Sequence, residues 1–345
     1  MAGNVASAEG AMRAGCRFYA GYPITPQNEL IAHMADQLPL RGGVFVQAES
    51  ELAAINMVFG AAAAGTRAMT SSSSPGISLK QEGISYLAGC ELPAVIVNVQ
   101  RGGPGLGDIG PAQGDYFQAT RGGGHGDYHC MVLAPSTVQE MADLTYDAFD
   151  LADKWRNPAI VLADGMVGQM MEPVRLDHLR PPQPPDKPWA LTGARGRPKN
   201  VIRSLYIVDG ELEKHNRHLI EKYGEIERTE VRWRTVGPED AAVVLVAFGA
   251  CARIVREVVE HPPPALRGRL ALVQPITLWP FPYAQLAERA RNAAAVVSVE
   301  MSAGQLVQDV RLAVEGRCPV HLLACLACSV PRTSEIADYL LERFA

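Results

Sequence analysis

The sequence predicts an α/β protein built around open parallel sheets. Apolar segments of strand length alternate with helical segments from the N-terminus to about Gly168, and the alternation returns from Ala241. Residues 93–99 (Pro-Ala-Val-Ile-Val-Asn-Val) form a continuous apolar run, which is typical of a parallel strand covered by helices on both faces. These observations favour helices packed on a parallel sheet over an all-helical or antiparallel fold.

The first half of the chain has the clearer pattern. We predict strands at residues 17–20, 44–47, 67–70, 93–99, 131–134 and 159–163. We predict helices at residues 6–14, 51–64 and 77–90, and loops at residues 21–27, 71–76 and 100–110. A capping box of Ser136 and Gln139 is expected to start a fourth helix, which runs to about Trp155.

The composition changes between Glu172 and Pro238. The proline-rich residues 180–188 predict a linker or a wrapping arm, and the charged residues 211–228 predict an exposed helix. Farther on, we predict strands at residues 242–247, 270–273, 294–299 and 320–323, with helices at residues 251–259, 305–314 and 334–344. We therefore divide the chain into a first domain at 1–172, a linker with a charged helix at 173–238, and a smaller α/β domain at 239–345.

Composition argues against several classes of protein. The 345 residues carry a formal net charge of −5 without a long run of lysine or arginine, which argues against a nucleic-acid-binding surface. No apolar run approaches the roughly 20 residues that span a bilayer, and the N-terminus does not resemble a secretory signal. We expect a cytoplasmic protein.

Seven scattered cysteines fit reduced, mostly buried thiols. Only Cys325 and Cys328 have a recognisable Cys-x-x-Cys spacing, and a single pair offers too few ligands for a zinc or four-iron site. Core packing is the favoured interpretation of this pair, and thiol redox chemistry is the alternative. We predict no metal site and no iron–sulfur cluster in this chain.

Four loops of the first domain follow strands, and ligands of open parallel sheets bind at the carboxyl ends of strands. In Tyr22-Pro-Ile-Thr-Pro26, Thr25 either presents its hydroxyl from a stiff loop or caps the next helix with Pro26 at its first position. Glu49 and Glu51 either stabilise a helix dipole or face a ligand. The following helix looks apolar nearly all round, which predicts burial and places the carboxylate beside a ligand or an interface.

The other two loops are equally open to interpretation. The segment Ser71-Ser-Ser-Ser-Pro-Gly76 is either a flexible polar loop or a polar ligand site ahead of a helix. Arg101, in a glycine-rich loop, either binds a carboxylate or is a structural arginine. His125 and Asp127 lie in a further glycine-rich segment without a paired catalytic motif.

Taken together, the order and spacing of these motifs closely resemble the α subunit of 2-oxoacid:ferredoxin oxidoreductases. The resemblance covers nearly the whole chain and looks most like the branched-chain (2-oxoisovalerate) type, because of the segment from Tyr116 to Asp127. It is carried by Gly21-Tyr-Pro-Ile-Thr-Pro-Gln27, Gln47-Ala-Glu-Ser-Glu-Leu-Ala-Ala54, Ala68-Met-Thr-Ser-Ser-Ser-Ser-Pro-Gly76, Val99-Gln-Arg-Gly-Gly-Pro104, His125-Gly-Asp127, Ala163-Asp-Gly165, Pro275-Ile-Thr-Leu-Trp-Pro280 and Val299-Glu-Met-Ser-Ala-Gly304.

The resemblance implies a pyrimidine-type thiamine diphosphate domain followed by a transketolase-C-terminal-like domain. It implies that Glu51, followed by Gly60-Ala61, is the glutamate that contacts the aminopyrimidine ring and activates the cofactor, and that Thr25 and Arg101 bind the 2-oxoacid. We further assign cofactor contacts to four neighbouring residues and keep two more as candidates of lower rank. The four are Tyr22, Pro23, Ser73 and Ser74, and the two are Glu49 and His125.

The motifs that are missing imply partners. We find no Gly-Asp-Gly motif of the kind with which the family holds magnesium and the diphosphate, and no ferredoxin-type cysteine pattern. The resemblance therefore implies a cofactor-binding β subunit, a γ subunit, a ferredoxin-like δ subunit that carries iron–sulfur clusters, coenzyme A as acyl acceptor and ferredoxin as electron acceptor. The alternatives are a subunit of a 2-oxoglutarate or indolepyruvate ferredoxin oxidoreductase, or a non-catalytic scaffold of the same fold.

Overall fold

A computed structural model of the chain describes residues 1–326 and 328–345. Strands and helices alternate through most of these residues, as the sequence predicts. The strands are β1 (Phe18–Gly21), β2 (Val44–Gln47), β3 (Ala68–Ser72), β4 (Val95–Gly102), β5 (Asp108–Pro111), β6 (Met131–Leu133), β7 (Ala159–Asp164), β8 (Trp233–Val236), β9 (Val243–Val246), β10 (Leu270–Pro275), β11 (Thr277–Trp279), β12 (Ala295–Glu300) and β13 (Val320–Ala324). The helices are α1 (Gly3–Arg13), α2 (Asn28–Gln37), α3 (Glu51–Ala63), α4 (Ser74–Gly89), α5 (Tyr116–Arg121), α6 (Val138–Trp155), α7 (Gly165–Gln169), α8 (Glu211–Thr229), α9 (Gly249–Glu260), α10 (Tyr283–Arg289), α11 (Leu306–Val314) and α12 (Thr333–Phe344).

The first sheet has the strand order β11-β6-β7-β4-β3-β1-β2, with β5 paired to β4 outside this path. All neighbours from β6 to β2 are parallel, which confirms the predicted parallel sheet. Strand β4 lies at its centre and is buried along its whole length, as its continuous apolar run predicts. Helices pack on both faces, and the contacts between α1 and α6 and between α3 and α4 are extensive.

The second sheet has the order β13-β12-β9-β10-β8 and is parallel except for the antiparallel edge strand β8. Strand β8 belongs to the segment predicted as a linker, so the end of that segment joins the second sheet. Strand β11 follows β10 after the single residue Ile276, but it belongs to the first sheet, where it pairs with β6. The chain therefore passes from the second sheet to the first between β10 and β11. The three-part division of the chain stays a prediction.

The start of α6 differs from the sequence prediction by one residue. Thr137 is the N-cap, because its hydroxyl accepts a hydrogen bond from the Glu140 amide at 3.1 Å. The Glu140 carboxylate accepts hydrogen bonds from the amide and the hydroxyl of Ser136. The predicted pairing of Ser136 with Gln139 is wrong, because Thr137 and Glu140 have the same spacing and form the cap instead.

The linker and the charged helix largely follow their prediction. Residues 180–188 form no helix or strand. Helix α8 is exposed on most of its surface and buries a narrow stripe that includes Leu219, Tyr223 and Ile226. None of the helices formed by the described residues is long and apolar enough to cross a bilayer.

A buried carboxylate ties the second sheet's helices to the first domain. Asp309 of α11 is fully buried and accepts hydrogen bonds from the Tyr116 hydroxyl at 2.6 Å and from an Arg121 Nη at 2.7 Å. The Tyr283 hydroxyl of α10 also donates to it. Three helices thus meet at one negative charge, which the hydroxyls and the guanidinium together compensate.

We predict that Asp309→Asn lowers the free energy of unfolding by about 3 kcal/mol. This is the lower end of the range for breaking a buried charge network, since Arg121 remains partly solvated. Urea unfolding followed by circular dichroism measures the loss. The matched control is Asp338→Asn on the exposed face of α12, which should stay within about 0.5 kcal/mol of the parent. Equal effects of the two substitutions would contradict the role of Asp309.

Candidate functional site

The candidate site lies where four neighbouring parallel strands end. Strands β4, β3, β1 and β2 are adjacent in the first sheet and point the same way. The segments that follow them therefore meet at one edge, as predicted from the order of strands and loops. Residues 22–27 follow β1, residues 48–50 follow β2, Ser73 follows β3 and residues 103–107 follow β4.

Glu51 is the first residue of α3 and only 7% of its surface is exposed, whereas Glu49 is exposed. The Ser50 hydroxyl caps the helix by accepting a hydrogen bond from the Ala53 amide at 3.1 Å. The helix dipole therefore does not need the Glu51 carboxylate as its cap. In the part of the chain that the structure describes, no hydrogen bond joins this carboxylate to another residue.

Helix α3 is buried on one face only, so the expectation of all-round burial is wrong for this chain by itself. Leu52 is 45% exposed, Asn56 and Gly60 share its face, and Met57 and Phe59 are half-buried. The apolar sequence of α3 predicts a hydrophobic helix surface. It does not tell which part of that surface other residues of this chain bury. Glu51 thus stands between a buried face and an open apolar face.

The four-serine segment is not a loop. Strand β3 continues through Ser72, Ser73 is the N-cap, and α4 begins at Ser74. The prediction of a loop over residues 71–76 is wrong because the serines at its start pair in the sheet and those at its end enter the helix. A turn of one residue holds these groups far more rigidly than a polar loop would.

Gly76 brings α4 into direct contact with Glu51. A Cβ atom at Gly76 would lie 2.1 Å from the Ser72 Oγ and 2.6 Å from a Glu51 Oε. Both distances are far below van der Waals contact, so this position admits only glycine while the Glu51 side chain keeps its place. Local sequence could have suggested this, because glycine in the first turn of a helix is otherwise unfavourable.

The serine hydroxyls divide into two groups. The Ser74 Oγ donates to the Asp115 carboxylate at 2.6 Å and accepts from the Arg101 amide at 3.1 Å, so its role is structural. The Oγ atoms of Ser72 and Ser73 are buried and have no hydrogen-bond partner among the described residues. Since buried hydroxyls are nearly always paired, these two are groups that a polar ligand at this edge of the sheet could satisfy. Ser73 was assigned to the cofactor from the sequence, and Ser72 was missed.

Arg101 lies within β4 and not in the loop after it. Strand β4 extends to Gly102 because β5 folds back as its antiparallel partner, which corrects the predicted loop at residues 100–110. The Arg101 guanidinium is nearly buried and donates to the backbone carbonyls of Thr25 at 3.0 Å and Leu106 at 3.1 Å. Its Nε is buried without a partner among the described residues.

Thr25 meets Arg101 through its carbonyl, and its hydroxyl accepts a hydrogen bond from the Asn28 side chain at 3.1 Å. The alternative in which Thr25 caps a helix that starts at Pro26 is wrong, because α2 starts at Asn28 with Gln27 at the N-cap. Tyr22 and Pro23 are exposed at the rim of the same loop. The structure thus brings Thr25 and Arg101 together.

His125 is not part of this cluster. It is exposed and meets Tyr86 edge to face, with ring centroids 6.2 Å apart, at the rim of a cavity of about 230 Å³. Tyr86 lies ten residues after Gly76 in α4, which is roughly 15 Å along a helix axis. His125 therefore sits at the opposite end of α4 from Glu51.

Of the Cys-x-x-Cys pair, Cys325 follows β13 and Cys328 lies beside the β4–β5 hairpin. Cys325 is half-buried, Cys328 is exposed, and the amide of Cys328 donates to the Pro111 carbonyl at 3.0 Å. Ala327, between them, lies outside the described residues. The favoured interpretation of the pair as core residues is wrong for Cys328, because its side chain is exposed. Four other cysteines are buried, as the scattered set predicts, and burial raises the pKa of each of their thiols.

Sequence reasoning also missed Lys80. This residue of α4 is fully buried, and its Nζ donates to the Thr70 Oγ1 at 3.0 Å and to the Glu51 backbone carbonyl at 3.2 Å. Burial lowers the pKa of Lys80 to about 8, and the nearby negative charge of Glu51 acts in the opposite direction. The spacing from Gly76 could have indicated the burial of Lys80, since residues four apart share one face of a helix.

Two family models cover most of the chain. Residues 9–221 match the family described as pyruvate flavodoxin/ferredoxin oxidoreductase, thiamine diP-bdg, and residues 241–336 match pyruvate:ferredoxin oxidoreductase core domain II. The first match contains all of the elements that form the candidate site. The second starts near the beginning of β9.

The chain is also similar to curated proteins of methanogens. It is 54% identical over 311 residues to the ketoisovalerate oxidoreductase subunit VorB of Methanothermobacter thermautotrophicus, a match that covers 90% of this chain and 88% of that protein. It is 37% identical to the 2-oxoglutarate synthase subunit KorA of the same organism, over 99% of this chain and 97% of that protein. These relatives are subunits of oxidoreductases.

Solved structures show the same architecture. A 2-oxoglutarate:ferredoxin oxidoreductase from Magnetococcus marinus, with 2-oxoglutarate, coenzyme A and succinyl-CoA bound, matches with a TM-score of 0.86 and 28% identity. The match covers 99% of this chain, which spans 64% of the length of that chain. A split-gene transketolase matches with a TM-score of 0.64 at 14% identity, which concerns the fold alone. With both halves matched to family models and a relative 54% identical over most of its length, the chain belongs to the 2-oxoacid:ferredoxin oxidoreductase family and contains that family's thiamine-diphosphate-binding domain.

Proposed function

We propose that this chain is the α subunit of a 2-oxoacid:ferredoxin oxidoreductase that converts a branched-chain 2-oxoacid to its acyl-CoA. In this reaction the bond between C1 and C2 breaks and releases carbon dioxide, and the acyl group forms a thioester with coenzyme A. Two electrons leave one at a time for ferredoxin. The observation that carries the proposal is the nearly buried Glu51 carboxylate, which meets the Ser72 hydroxyl at Gly76 in a thiamine-diphosphate-binding domain. The hydroxyls of Ser72 and Ser73 have no hydrogen-bond partner among the described residues.

These residues fit the polar side of the cofactor. Thiamine diphosphate, when bound, supplies the nucleophilic carbon and the electron sink for decarboxylation. Glu51 would accept a hydrogen bond from the aminopyrimidine ring, and Ser72 and Ser73 offer hydroxyls that no described protein group satisfies. Tyr22 and Pro23 would contact the ring from the exposed rim. The site thus has one charged acceptor and two neutral groups, which suits a ring with several nitrogens.

Arg101 and Thr25 would orient the 2-oxoacid. The guanidinium has five donors, of which two bind loop carbonyls, and the buried Nε has no partner among the described residues. A substrate carboxylate or keto oxygen that reaches Nε would be held beside the β1 loop. This is a positioning role, since arginine does not exchange a proton at neutral pH.

The remaining parts of the reaction would come from partner subunits. We propose a β subunit that holds magnesium and the diphosphate, a γ subunit, and a ferredoxin-like δ subunit with the iron–sulfur clusters. The exposed Leu52 of α3, with Met57 and Phe59 half-buried on the same helix, supports an interface beside Glu51, because apolar surface next to a nearly buried carboxylate is costly to leave in water. Alone, the chain should be inactive.

The branched-chain substrate is supported by the ketoisovalerate relatives, and the 2-oxoglutarate relatives support the second candidate. Co-purification with its partners, followed by 2-oxoacid-dependent reduction of ferredoxin or a viologen with coenzyme A, tests both. We expect kcat/KM for 3-methyl-2-oxobutanoate to exceed that for 2-oxoglutarate and indolepyruvate. A complex that assembles but reduces no acceptor with any 2-oxoacid would support the scaffold alternative.

We predict that Glu51→Gln slows turnover about 100-fold or more while assembly is retained. The amide keeps the shape of the side chain but replaces a charged acceptor with a neutral group, and losses of this size are typical for a group that assists proton transfer. Stopped-flow measurement of cofactor activation and steady-state acceptor reduction report the change. Glu49→Gln is the matched control, and near-normal turnover of Glu51→Gln with an inactive Glu49→Gln would reverse the assignment.

We predict that Gly76→Ala abolishes thiamine diphosphate binding at concentrations that saturate the parent complex. The added methyl group would collide with Glu51 and Ser72, so the carboxylate must leave its position. Titration calorimetry on the assembled complex measures binding. Gly224→Ala in α8, where nothing lies within 4 Å of a Cβ atom, is the control helical glycine and should bind normally. Normal binding in both variants would show that the close approach at Gly76 does not matter.

We predict that Arg101→Lys lowers kcat/KM for the 2-oxoacid about tenfold, chiefly through KM. Lysine keeps the charge but cannot hold both loop carbonyls and a substrate oxygen in one plane. Initial-rate kinetics across 2-oxoacid concentrations separate KM from kcat. An unchanged KM, with only a lower melting temperature, would limit Arg101 to the structural role that its two carbonyl contacts already give it.

A further inference from the structure

We propose that Lys80 is a positioning residue for Glu51: it fixes the backbone of the first turn of α3 and provides a positive charge next to the carboxylate. The inference rests on the proposed function, since it assigns Lys80 a part in holding Glu51 for the cofactor. Among the described residues, the Lys80 Nζ donates only to Thr70 and Glu51, and so to neither Arg101 nor the loop that carries Thr25. Of its two acceptors, Glu51 is the residue proposed to contact the cofactor, so we expect the effect of Lys80 to pass chiefly through Glu51.

The contacts of Lys80 link three elements. Its Nζ, on α4, donates to the Thr70 hydroxyl of β3 and to the Glu51 carbonyl of α3. The side chain is fully enclosed, so these bonds do not compete with water. A carbonyl in the first turn of a helix already accepts from the fourth residue along, and the ammonium binds it from the side of α4. The first turn of α3 is thereby tied to the sheet.

The packing of α4 explains why the lysine can reach this place. Gly76, Lys80 and Gly83 follow one another along one face of the helix. A Cβ atom at Gly83 would lie 2.6 Å from the Ile55 Cγ2, so glycines bring the two helices together on either side of Lys80. The lysine stem fills the seam between them. A long flexible side chain with a charged end is an unusual choice for such a seam, since an apolar side chain would fill it without desolvating a charge.

Among the described residues, the carboxylate of Glu51 is the ionisable group that offsets the positive charge of Lys80. Both hydrogen-bond acceptors of its Nζ are neutral, and β3 contributes only the Thr70 hydroxyl. The negative charge of Glu51 favours the ammonium form. The two groups form no direct salt bridge, so the carboxylate stays available to a ligand while the ammonium attracts it through a medium of low dielectric constant.

This arrangement has a definite pH dependence. Burial lowers the pKa of Lys80 to about 8, below the ordinary value of 10.5 that the unfolded chain retains. Between these values the unfolded state binds more protons, so protein stability rises with pH in this window. Glu51 loses its neighbouring charge over the same window. Cofactor affinity should therefore fall above about pH 8 while the fold becomes no less stable.

Thiamine diphosphate binding to the assembled complex, measured by titration calorimetry between pH 6.5 and 9.5 with magnesium present, tests the inference. We expect Lys80→Met to weaken binding at least about tenfold at pH 7 and to remove the fall in affinity above about pH 8. The matched control is Lys222→Met, which removes another largely buried lysine, one that pairs with Glu91 at 3.2 Å. The control should keep the parental affinity and pH profile. A Lys80→Met complex with the parental affinity and the parental profile would overturn the inference.

A second variant, Thr70→Val, tests the inference even if Lys80→Met fails to assemble. Thr70→Val keeps the lysine and removes one of its two acceptors, and we expect it to weaken binding severalfold. Unchanged affinity in Thr70→Val would count against the inference. If Lys80 acts through Glu51, the double variant Glu51→Gln/Lys80→Met should bind no more weakly than Glu51→Gln alone, whereas additive losses would overturn that route. A parent complex that binds no thiamine diphosphate would instead overturn the proposed function, so the two failures are distinguishable.

Discussion

The close approach of α4 to the first turn of α3 is the constraint on which the candidate site depends. Gly76 leaves no space for a side chain between α4 and the Glu51 carboxylate, and Gly83 repeats the contact at Ile55. Parallel pairing of β1 with β2 and with β3 fixes where both helices start, because three residues separate α3 from β2 and one residue separates α4 from β3. The carboxylate is therefore placed by the backbone of two helices. It needs no hydrogen bond of its own, which leaves it free for a ligand.

Much of the fold could be predicted from the sequence because its main signals are local. Residues 93–99 are apolar except for Asn98, and the strand they predict is the buried centre of the first sheet. The missed strands lack such signals. Strands β5 and β8 are short and largely exposed, so their residues carry no alternation. Strand β11 is buried but has only three residues and follows β10 after one residue, so it is too short for a recognisable strand pattern.

The sequence indicates candidate residues for the site but not their contacts, and the roles of these residues stay predictions. Motif spacing separated Glu51 from Glu49, and the burial of the two residues differs in the same sense. Which of four consecutive serines is unpartnered depends on Asp115, more than 40 residues away, whose carboxylate binds Ser74. The carbonyl partners of Arg101 and the acceptors of Lys80 likewise arise from elements distant in the chain. Local sequence does not predict such contacts, because they depend on tertiary packing.

The short segment from Gln113 to Tyr116 joins this site to the second domain. Gln113 donates to the Phe248 carbonyl and accepts from the Met301 amide, and Tyr116 binds the buried Asp309. Between them, Asp115 holds the Ser74 hydroxyl that in turn receives the Arg101 amide. Burial raises the pKa of Asp115, and its hydrogen bonds oppose that rise. This segment therefore links Phe248, Met301 and Asp309, which lie in the half of the chain that forms the second sheet, to Ser74 at the start of α4 and through it to Arg101 of β4. Because Gly76, two residues after Ser74, contacts the Glu51 carboxylate, the same hydrogen bonds anchor the end of α4 on which the position of Glu51 depends.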